Sequence, residues 1–248
     1  RLKGLKGSLI KIMSYPMLWI SFFLSNKVLF QNNDDMQLIK NRGLLIGSRY
    51  EKINGSGVNL NSFRPTSLGN EPTFLMIGRI TRDKGVNEYI QAAKLVKKEF
   101  PKAKFDLIGP KDDCSSIDEN LMKEAETESL VNFIGKVDDV RPYIKRCNVF
   151  VLPSYYEGTP RSVLEAMAMG RPIITTDAPG CRETVVEKEN GFKVPIKDSN
   201  SLAEKMKWMI KNPHKIKEMG KKSRKLCEEK FNVHKVNEKI IESLNIHG

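Results

Sequence analysis

Residues 149–170, VFVLPSYYEGTPRSVLEAMAMG, decide the fold, because a strand-like apolar run passes there into a helix-like run. Residues 149–152 have the continuous apolar character of a strand that is buried on both faces. Gly158 lets the backbone approach a ligand closely, Thr159 is suited to cap the helix, and Pro160 suits its first position. The stretch therefore predicts a strand, a tight loop and a helix whose N-terminus faces an anionic ligand.

Two glutamates, Glu157 and Glu165, stand eight positions apart across this loop. Helical side chains lean toward the N-terminus, so Glu165 can return toward the mouth that Glu157 lines. Carboxylates accept hydrogen bonds from hydroxyl groups, which makes a sugar or a ribose the natural ligand. In the alternative interpretation, Glu157 is a solvated loop acid and Glu165 an exposed helix residue, and the pair alone leaves both open.

From Glu71 onward, strand-like and helix-like segments alternate as they do in a doubly wound α/β domain. Strands are predicted at Thr73 to Ile77, Lys104 to Ile108, Val131 to Ile134, Val149 to Leu152, Pro172 to Thr175 and Gly191 to Val194. Helices are predicted at Val86 to Phe100, Ser116 to Ser129, Asp139 to Cys147, Pro160 to Met169, Gly180 to Val186, Ser199 to Lys211, Pro213 to Lys230 and Val233 to Leu244. The predicted fold is α/β, with a Rossmann-like doubly wound parallel sheet.

The upstream residues predict a smaller unit of two strands, Lys27 to Phe30 and Tyr50 to Ile53, around a helix from Asp34 to Lys40. A unit of this size cannot bury a core of its own. A flexible joint containing Gly57 follows, and we place a domain boundary near Pro65.

Almost all of the net charge of +12 lies in the two ends of the chain. The first twelve residues carry +4, residues 193–248 carry +7, and the remainder carries only +1. Basic ends are typical of nucleic-acid binding, of contact with anionic lipid, or of solvated helix faces. The chain has no aromatic-basic motif of an RNA-binding module, so we expect no nucleic-acid partner.

The stretch from Ser8 to Leu24 is apolar but contains Lys11 and Pro16. It is shorter than the ~20 residues that a spanning helix needs. It can form an interfacial helix beside the basic first residues, or a helix packed in a domain core, and we favour the core helix.

The four cysteines are widely spaced and form neither a metal-binding nor a disulfide signature. This pattern favours a reduced, cytosolic setting. The chain begins at Arg1 without a methionine or a cleavable signal pattern, so we expect a segment of a longer protein or a processed one.

A second ligand-binding loop is predicted after the first strand of the α/β domain, from Gly78 to Gly85. Arg79 offers a planar guanidinium and Lys84 a longer ammonium, and together they are suited to hold a diphosphate without a metal. The alternative is a charged surface loop. A third loop, after the third strand, contains Gly135-Lys136 and can offer backbone groups to a base, unless it is a plain turn.

Topology links these loops, because Arg79 and Lys84 follow the first strand and Glu157 follows the fourth. Open α/β sheets bind ligands at the carboxyl ends of their strands. Cations for phosphate and carboxylates for hydroxyls around one crevice indicate a nucleotide sugar.

The order and spacing of these motifs over about residues 50 to 230 resemble the donor-binding half of the GT-B glycosyltransferases of family 4. The matching segments are Gly78-Arg79…Lys84-Gly85, Phe133-Ile134-Gly135, Val151-Leu152-Pro153-Ser154, Glu157-Gly158…Glu165-Ala166-Met167-Ala168, Gly170-Arg171-Pro172-Ile173, Gly180-Cys181-Arg182-Glu183 and Asn190-Gly191. Gly55-Ser56-Gly57-Val58-Asn59 with Phe63-Arg64-Pro65 resembles the family's segment between its two domains.

The resemblance implies a role for each matching residue. Arg79 and Lys84 would neutralise the diphosphate and stabilise the departing nucleotide, and Glu157 would bind the donor sugar near its reacting carbon. The remaining substrate-binding residues are then Glu165 at the ribose hydroxyls, Gly158, Thr159 and Pro160 at the sugar and phosphate, and Gly57, Gly78, Gly135 and Lys136 around the donor. Family members retain the anomeric configuration and generally need no divalent metal, so we expect no metal or other cofactor.

The front of the chain departs from the family pattern, because a complete member opens with a full acceptor-binding domain. Here residues 1–65 resemble a remnant of that domain and its joint, residues 66–231 the donor-binding domain, and residues 232–248 the helix that crosses back. The family's glycine-rich turn and histidine have no counterpart. The resemblance therefore implies a donor-binding fragment, which we expect to bind the donor nucleotide with little or no transfer on its own.

The expected activity is that of a retaining hexosyltransferase, which moves a hexose, such as galactose, or an N-acetylhexosamine from a UDP-sugar. The expected acceptor is a glycan or a polyprenyl-linked sugar used in capsule or lipopolysaccharide synthesis, in the cytoplasm and peripherally at the inner face of the membrane. The alternative is a membrane-surface interaction protein that uses the basic ends and the apolar helix without transfer. A phosphorylase or epimerase relative would need features of the missing half.

Overall fold

The computed structural model describes residues 5–69, 71–111 and 117–244, with side chains from residue 12 onward. Cys114 and the first residue of the predicted helix at 116–129 lie outside the described residues.

The upstream unit consists of two helices and two short strands, and its strands pair in parallel. Its elements are α1 (Leu5–Leu24), β1 (Val28–Phe30), α2 (Asn33–Asn41) and β2 (Tyr50–Lys52). A joint leads from β2 to the next strand, which begins at Thr73, and its described residues contain no helix or strand. The domain boundary near Pro65 stays a prediction.

The second unit alternates strands and helices as predicted. Its first part contains β3 (Thr73–Ile77), α3 (Val86–Lys97), β4 (Lys104–Ile108), α4 (Glu119–Thr127), β5 (Asn132–Gly135), α5 (Arg141–Arg146) and β6 (Val149–Leu152). Its second part contains α6 (Arg161–Ala168), β7 (Ile173–Thr176), β8 (Gly191–Val194), α7 (Ser199–Lys211), α8 (Pro213–Lys230) and α9 (Val233–Leu244). Single 3-10 turns lie at Arg82–Lys84 and Arg182–Thr184.

The six strands β3 to β8 form one parallel sheet in the order β5-β4-β3-β6-β7-β8. The chain builds outward from β3 through β4 to β5, and then returns to the other side of β3 with β6. The switch point of the sheet therefore lies between β3 and β6, where doubly wound sheets open a crevice for ligands. The predicted fold class is confirmed.

The core forms on both faces of this sheet, because its central strands are apolar along their whole length. Every side chain of β6 is buried, and in α6 the side chains from Val163 to Ala168 are buried as well. Burial of both strand faces is the reason that these strands read as continuous apolar runs rather than as alternating ones.

The predicted helix from Gly180 to Val186 is wrong, since the structure has only the 3-10 turn there. Gly180 has a φ of +76°, which a right-handed helix cannot contain. The Thr184 hydroxyl donates to the Cys181 carbonyl, and the Asn190 amide donates to the Thr184 carbonyl. These side-chain bonds satisfy the backbone of a turn and end it before Val185.

The expectation that the apolar segment up to Leu24 packs in a core is also wrong. It forms α1, but no side chain from Ile12 to Leu24 is buried, and Met17 and Phe23 are 70% and 52% exposed. The physical reason is that an upstream unit with two strands of three residues each offers too little apolar surface to bury a helix. Among the helices of the described residues, none combines the length and apolar character needed to cross a membrane.

Candidate functional site

The loops that follow β3 and β6 are joined by direct hydrogen bonds at the switch point of the sheet. The Asp83 carbonyl accepts from the Tyr155 amide at 2.8 Å and from the Ser154 hydroxyl at 3.2 Å. Gly85, with a φ of +76°, closes the first loop, and a Cβ there would collide with the Pro153 carbonyl. The two loops that the sequence singled out therefore form one surface.

Lys84 and Glu157 form an ion pair on this surface, with the Lys84 Nζ 2.6 Å from the Glu157 Oε1. Their side chains are only 16% and 15% exposed, so water screens the pair weakly. The structure thus brings together the predicted phosphate-binding cation and the predicted sugar-binding carboxylate. A bound anion would compete with Glu157 for Lys84, and a bound hydroxyl would compete with Lys84 for Glu157.

The helix that follows Glu157 begins one residue later than predicted. Pro160 occupies the N-cap position and α6 starts at Arg161, so Pro160 is not the first helical residue. The expectation that Thr159 caps the helix is wrong, because its hydroxyl donates instead to the Gln31 carbonyl at 3.2 Å. The Ser162 hydroxyl donates to the Ile77 carbonyl at 3.1 Å and fixes the start of α6 against the end of β3.

Glu165 lies on the second turn of α6, and its side chain is 12% exposed. Its Oε1 accepts from the Arg161 Nε at 3.1 Å, one turn nearer to the N-terminus of the helix. Burial raises the pKa of the Glu165 carboxyl, and the neighbouring Arg161 opposes that shift. The alternative of an exposed helix residue is therefore excluded for Glu165. Glu165 thus forms an ion pair with Arg161, whereas Lys84 pairs with Glu157.

A cavity of about 650 Å³ opens beside these loops at the carboxyl ends of β3, β4 and β5. Its walls include apolar, glycine and charged residues: Ile80, Gly109, Pro110, Lys111, Ile117, Glu119, Met122, Lys123, Glu126, Phe133, Ile134, Gly135 and Lys136. Gly135 has a φ of +81° and ends β5, so the chain turns there into the cavity wall. The predicted third loop therefore lines a cavity next to the first.

Of the other predicted residues, Gly78 and Arg79 follow β3, and Gly57 lies in the joint between the two units. Gly78 directly follows β3, and its N–H donates to the Ile108 carbonyl at 2.9 Å. Arg79 lies between Gly78 and the cavity-lining Ile80. Gly57 has a φ of +69° and packs against the backbone of Val233, so its role in donor binding stays a prediction.

Sequence reasoning missed two residues of this surface, Gln31 and Asn32, which follow β1. The Asn32 amide donates to the carbonyls of Glu157 and Gly158, and a Cβ on Gly158 would collide with the Gln31 side chain. A pair of uncharged polar residues directly after a strand was the signal that could have indicated them.

In the described part of the chain, no three His, Cys, Asp or Glu side chains lie close enough together to hold a metal ion. The absence of a metal requirement stays a prediction.

The sequence profile of the glycosyl transferases group 1 family matches residues 59–226, which contain both loops and the cavity. The chain belongs to this family. This chain is similar to the N,N'-diacetylbacillosaminyl-diphospho-undecaprenol alpha-1,3-N-acetylgalactosaminyltransferase of Campylobacter jejuni. The two are 30% identical over 227 residues, which are 85% of this chain and 58% of that enzyme.

It is also similar to the UDP-Gal:alpha-D-GlcNAc-diphosphoundecaprenol alpha-1,3-galactosyltransferase of Escherichia coli, with 24% identity over 74% of this chain and 52% of the relative. Among solved structures, sucrose-phosphate synthase from Thermosynechococcus elongatus superposes with a TM-score of 0.80. The identity is 26%, and the match covers 93% of this chain and 60% of that one. This chain thus spans between half and three fifths of the length of these proteins.

Proposed function

We propose that this chain binds the nucleotide-sugar donor of a retaining glycosyltransferase. The donor is a UDP-linked hexose or N-acetylhexosamine, with galactose and N-acetylgalactosamine first among them. The acceptor is a polyprenyl-linked sugar or a growing glycan in cell-surface polysaccharide synthesis, for a capsule or a lipopolysaccharide. The two relatives named above act, by their names, on diphospho-undecaprenol-linked sugars, which supports this acceptor class.

The single observation that carries the proposal is the Lys84–Glu157 pair at the switch point, beside the cavity at the ends of β3 to β5. The pair presents one group for phosphate and one for hydroxyls within 2.6 Å of each other. A nucleotide sugar needs both groups where its sugar joins its diphosphate. The adjoining cavity, lined by Gly135 and Lys136, is large enough for a nucleoside.

In this proposal, Arg79 and Lys84 hold the diphosphate, and Glu165 accepts hydrogen bonds from the ribose. The amides of Gly158 and Thr159 face the sugar and the phosphate beside it, whereas Pro160 has no N–H to offer. Gly57 and Gly78 support the donor only through the backbone.

Transfer breaks the bond between the anomeric carbon and the diphosphate oxygen, the acceptor hydroxyl oxygen forms the new bond on the same face, and its proton passes to the leaving diphosphate. Negative charge grows on the leaving diphosphate, where Arg79 and Lys84 stabilise it. Positive charge grows on the sugar ring, where the Glu157 carboxylate stabilises it without becoming a covalent nucleophile. Positioning and electrostatics supply the catalysis, and no metal is required.

Calorimetry on the 248-residue chain tests donor binding. We expect UDP and UDP-galactose to bind, GDP to bind more weakly, and Lys84→Ala to lower the UDP affinity by about tenfold to a hundredfold, as loss of a charge-assisted hydrogen bond does. Glu157→Gln frees Lys84 from its partner, so UDP affinity should hold or rise while UDP-galactose loses its advantage.

Lys104→Ala is the matched control, because Lys104 also pairs with a glutamate, Glu71, but at the start of β4 on the opposite edge of the sheet. Donor binding at the switch point is refuted if UDP does not bind, or if both lysine variants weaken UDP equally.

A second candidate function, contact with an anionic membrane surface, is favoured by the exposed apolar side chains of α1. Met17, Trp19 and Phe23 are 70%, 39% and 52% exposed, and the first twelve residues carry a charge of +4. Lipid-linked acceptors lie at membranes, so the two functions are compatible.

A further inference from the structure

Asn32 is a fully buried asparagine between β1 and α2, and its amide orientation is fixed by the helix it caps. Its Oδ1 accepts from the Asp35 amide N–H at 2.8 Å, which is the N-cap bond of α2. With the oxygen committed to the cap, the Nδ2 group must face the other way.

The Nδ2 group of Asn32 faces three acceptors with two hydrogens. The distances are 2.9 Å to the Asp35 Oδ2, 3.2 Å to the Gly158 carbonyl and 3.3 Å to the Glu157 carbonyl. One hydrogen serves Asp35, and the two successive carbonyls share the other. Residues more than a hundred positions apart in sequence are thereby tied together.

Gly180 supports the same two carbonyls from a second direction. A Cβ at Gly180 would collide with the carbonyl oxygens of both Glu157 and Gly158, so these oxygens point toward its bare Cα. In a trans peptide unit the C=O and the following N–H point in opposite directions. The N–H groups of Gly158 and Thr159 are therefore aimed away from Asn32 and Gly180, and two successive N–H groups on one side make a concavity suited to an anion.

The loop is anchored on either side of these peptide units. The Tyr156 hydroxyl donates to the Asp35 Oδ1 at 2.5 Å, and the Thr159 hydroxyl donates to the Gln31 carbonyl at 3.2 Å. Burial and then the Asp35 bond raise the pKa of Tyr156 to about 12, so the phenol stays a donor. Asn32 therefore holds the middle of the segment from Tyr156 to Thr159, whose two ends bond to Asp35 and Gln31.

We propose that Asn32 is a positioning residue for donor binding. Its amide holds the carbonyls of Glu157 and Gly158 so that the N–H groups of Gly158 and Thr159 face the donor sugar and the adjacent phosphate. This inference rests on the proposed function, because it assigns the amides to the same donor.

The test separates this role from helix capping. In Asn32→Ser the side-chain oxygen can still cap α2, but the shared hydrogen bond to the two carbonyls is lost. We expect the affinity for UDP-galactose, relative to that for UDP, to fall by about tenfold, the upper end of what the loss of one uncharged hydrogen bond costs. Asn32→Asp keeps the cap and the shape, and places a carboxylate against both carbonyls, so it should lose at least as much.

A spectroscopic readout follows the amides themselves. In ¹⁵N-labelled wild-type chain, the Gly158 and Thr159 signals should shift when UDP-galactose is added, and in Asn32→Ser they should start elsewhere and shift less. Asn212→Ser is the matched control, because the Asn212 amide also donates to a carbonyl, that of Trp208 at 2.8 Å, at the α7–α8 junction. It should leave the affinity ratio and both signals unchanged.

The outcomes are distinguishable. If the wild-type chain binds neither UDP nor UDP-galactose, the proposed function and this inference both fail. If the wild type binds both ligands but Asn32→Ser keeps the wild-type affinity ratio and amide shifts, the inference fails and the proposed function stands. Equal weakening of UDP and UDP-galactose would also overturn it, because the sugar would then gain nothing from the amides that Asn32 positions.

Discussion

At the scale of single residues, Glu165 is a buried carboxyl group whose ionised form is unfavourable in the folded protein. Its carboxylate is mostly buried, with an exposed Arg161 as its recorded ion-pair partner, so burial outweighs the pairing and its pKa is raised. A carboxyl with a raised pKa favours the protonated form in the folded protein, so the ionised form costs stability at neutral pH. This loss of stability disappears as the pH falls through the raised pKa, because the carboxyl becomes protonated. In the proposed function, this carboxylate accepts hydrogen bonds from the ribose hydroxyls.

We predict that UDP-galactose affinity falls on acidification at a higher pH than an unshifted carboxyl would cause, because protonated Glu165 loses acceptor capacity. UDP-galactose is the suitable ligand, since its diphosphate diester keeps a constant charge between about pH 8 and pH 5. Glu165→Gln should flatten this pH profile in calorimetry, weaken binding at neutral pH, and raise the thermal stability of the ligand-free chain. Glu204→Gln, on an exposed side chain of α7, is the control. A Glu165→Gln profile that follows the wild type would contradict the assignment.

At the scale of elements, Arg171 fastens the end of α5 to the joint between the two units. It is fully buried, and its Nε donates to the Ile144 carbonyl at 2.9 Å. Its Nη2 donates to the carbonyls of Lys145 and Ser67 and to the Thr66 hydroxyl. Burial lowers the pKa of this guanidinium. Its positive charge faces the C-terminal, negative end of the α5 dipole, which offsets part of the burial cost.

We predict that Arg171→Met lowers the free energy of unfolding by about 3 to 5 kcal/mol, because the helix-end carbonyls lose their buried donor. Urea unfolding followed by circular dichroism measures the change. Arg141→Met, which removes an exposed arginine from the first turn of the same helix, should change it by at most ~0.5 kcal/mol. Equal effects of the two substitutions would show that Arg171 does not fasten the helix.

At the scale of the whole molecule, positive charge is concentrated in the two ends of the sequence, and α1 exposes apolar side chains. In sequence, the +4 charge of the first twelve residues comes directly before the exposed side chains of α1, while the middle of the chain is nearly neutral. Anionic lipid attracts clustered lysines within a Debye length and takes up exposed aromatic side chains at its interface.

We predict that the chain sediments with vesicles containing phosphatidylserine, and that Phe23→Asp or raised salt releases it. Ile196→Asp places the same change on an exposed isoleucine after β8, and should leave sedimentation as in the wild type. Membrane contact through α1 is wrong if both aspartate variants behave alike, or if neutral vesicles retain as much protein as anionic ones.

Local sequence patterns predicted an element correctly where residues close together in the sequence determine it. The strands around Leu75 and Phe150 were predicted correctly because burial on both faces leaves a continuous apolar run. The predictions failed where partners from elsewhere intervene. Thr159 donates to the Gln31 carbonyl rather than capping α6, and Gly180 turns the chain where a helix was expected. The segment ending at Leu24 is a helix, but its apolar pattern could not show whether another surface covers it.

The sequence by itself determined the alternating α/β order, and with it the edge of the sheet where Arg79, Lys84 and Glu157 lie, because parallel strands place their carboxyl ends together. Only the tertiary structure decided that Lys84 pairs with Glu157, 73 positions away, and that Asn32 reaches the Glu157 carbonyl over 125 positions. The physical reason is that periodicity and capping act within a few residues, whereas these hydrogen bonds depend on the register of whole elements packed against one another.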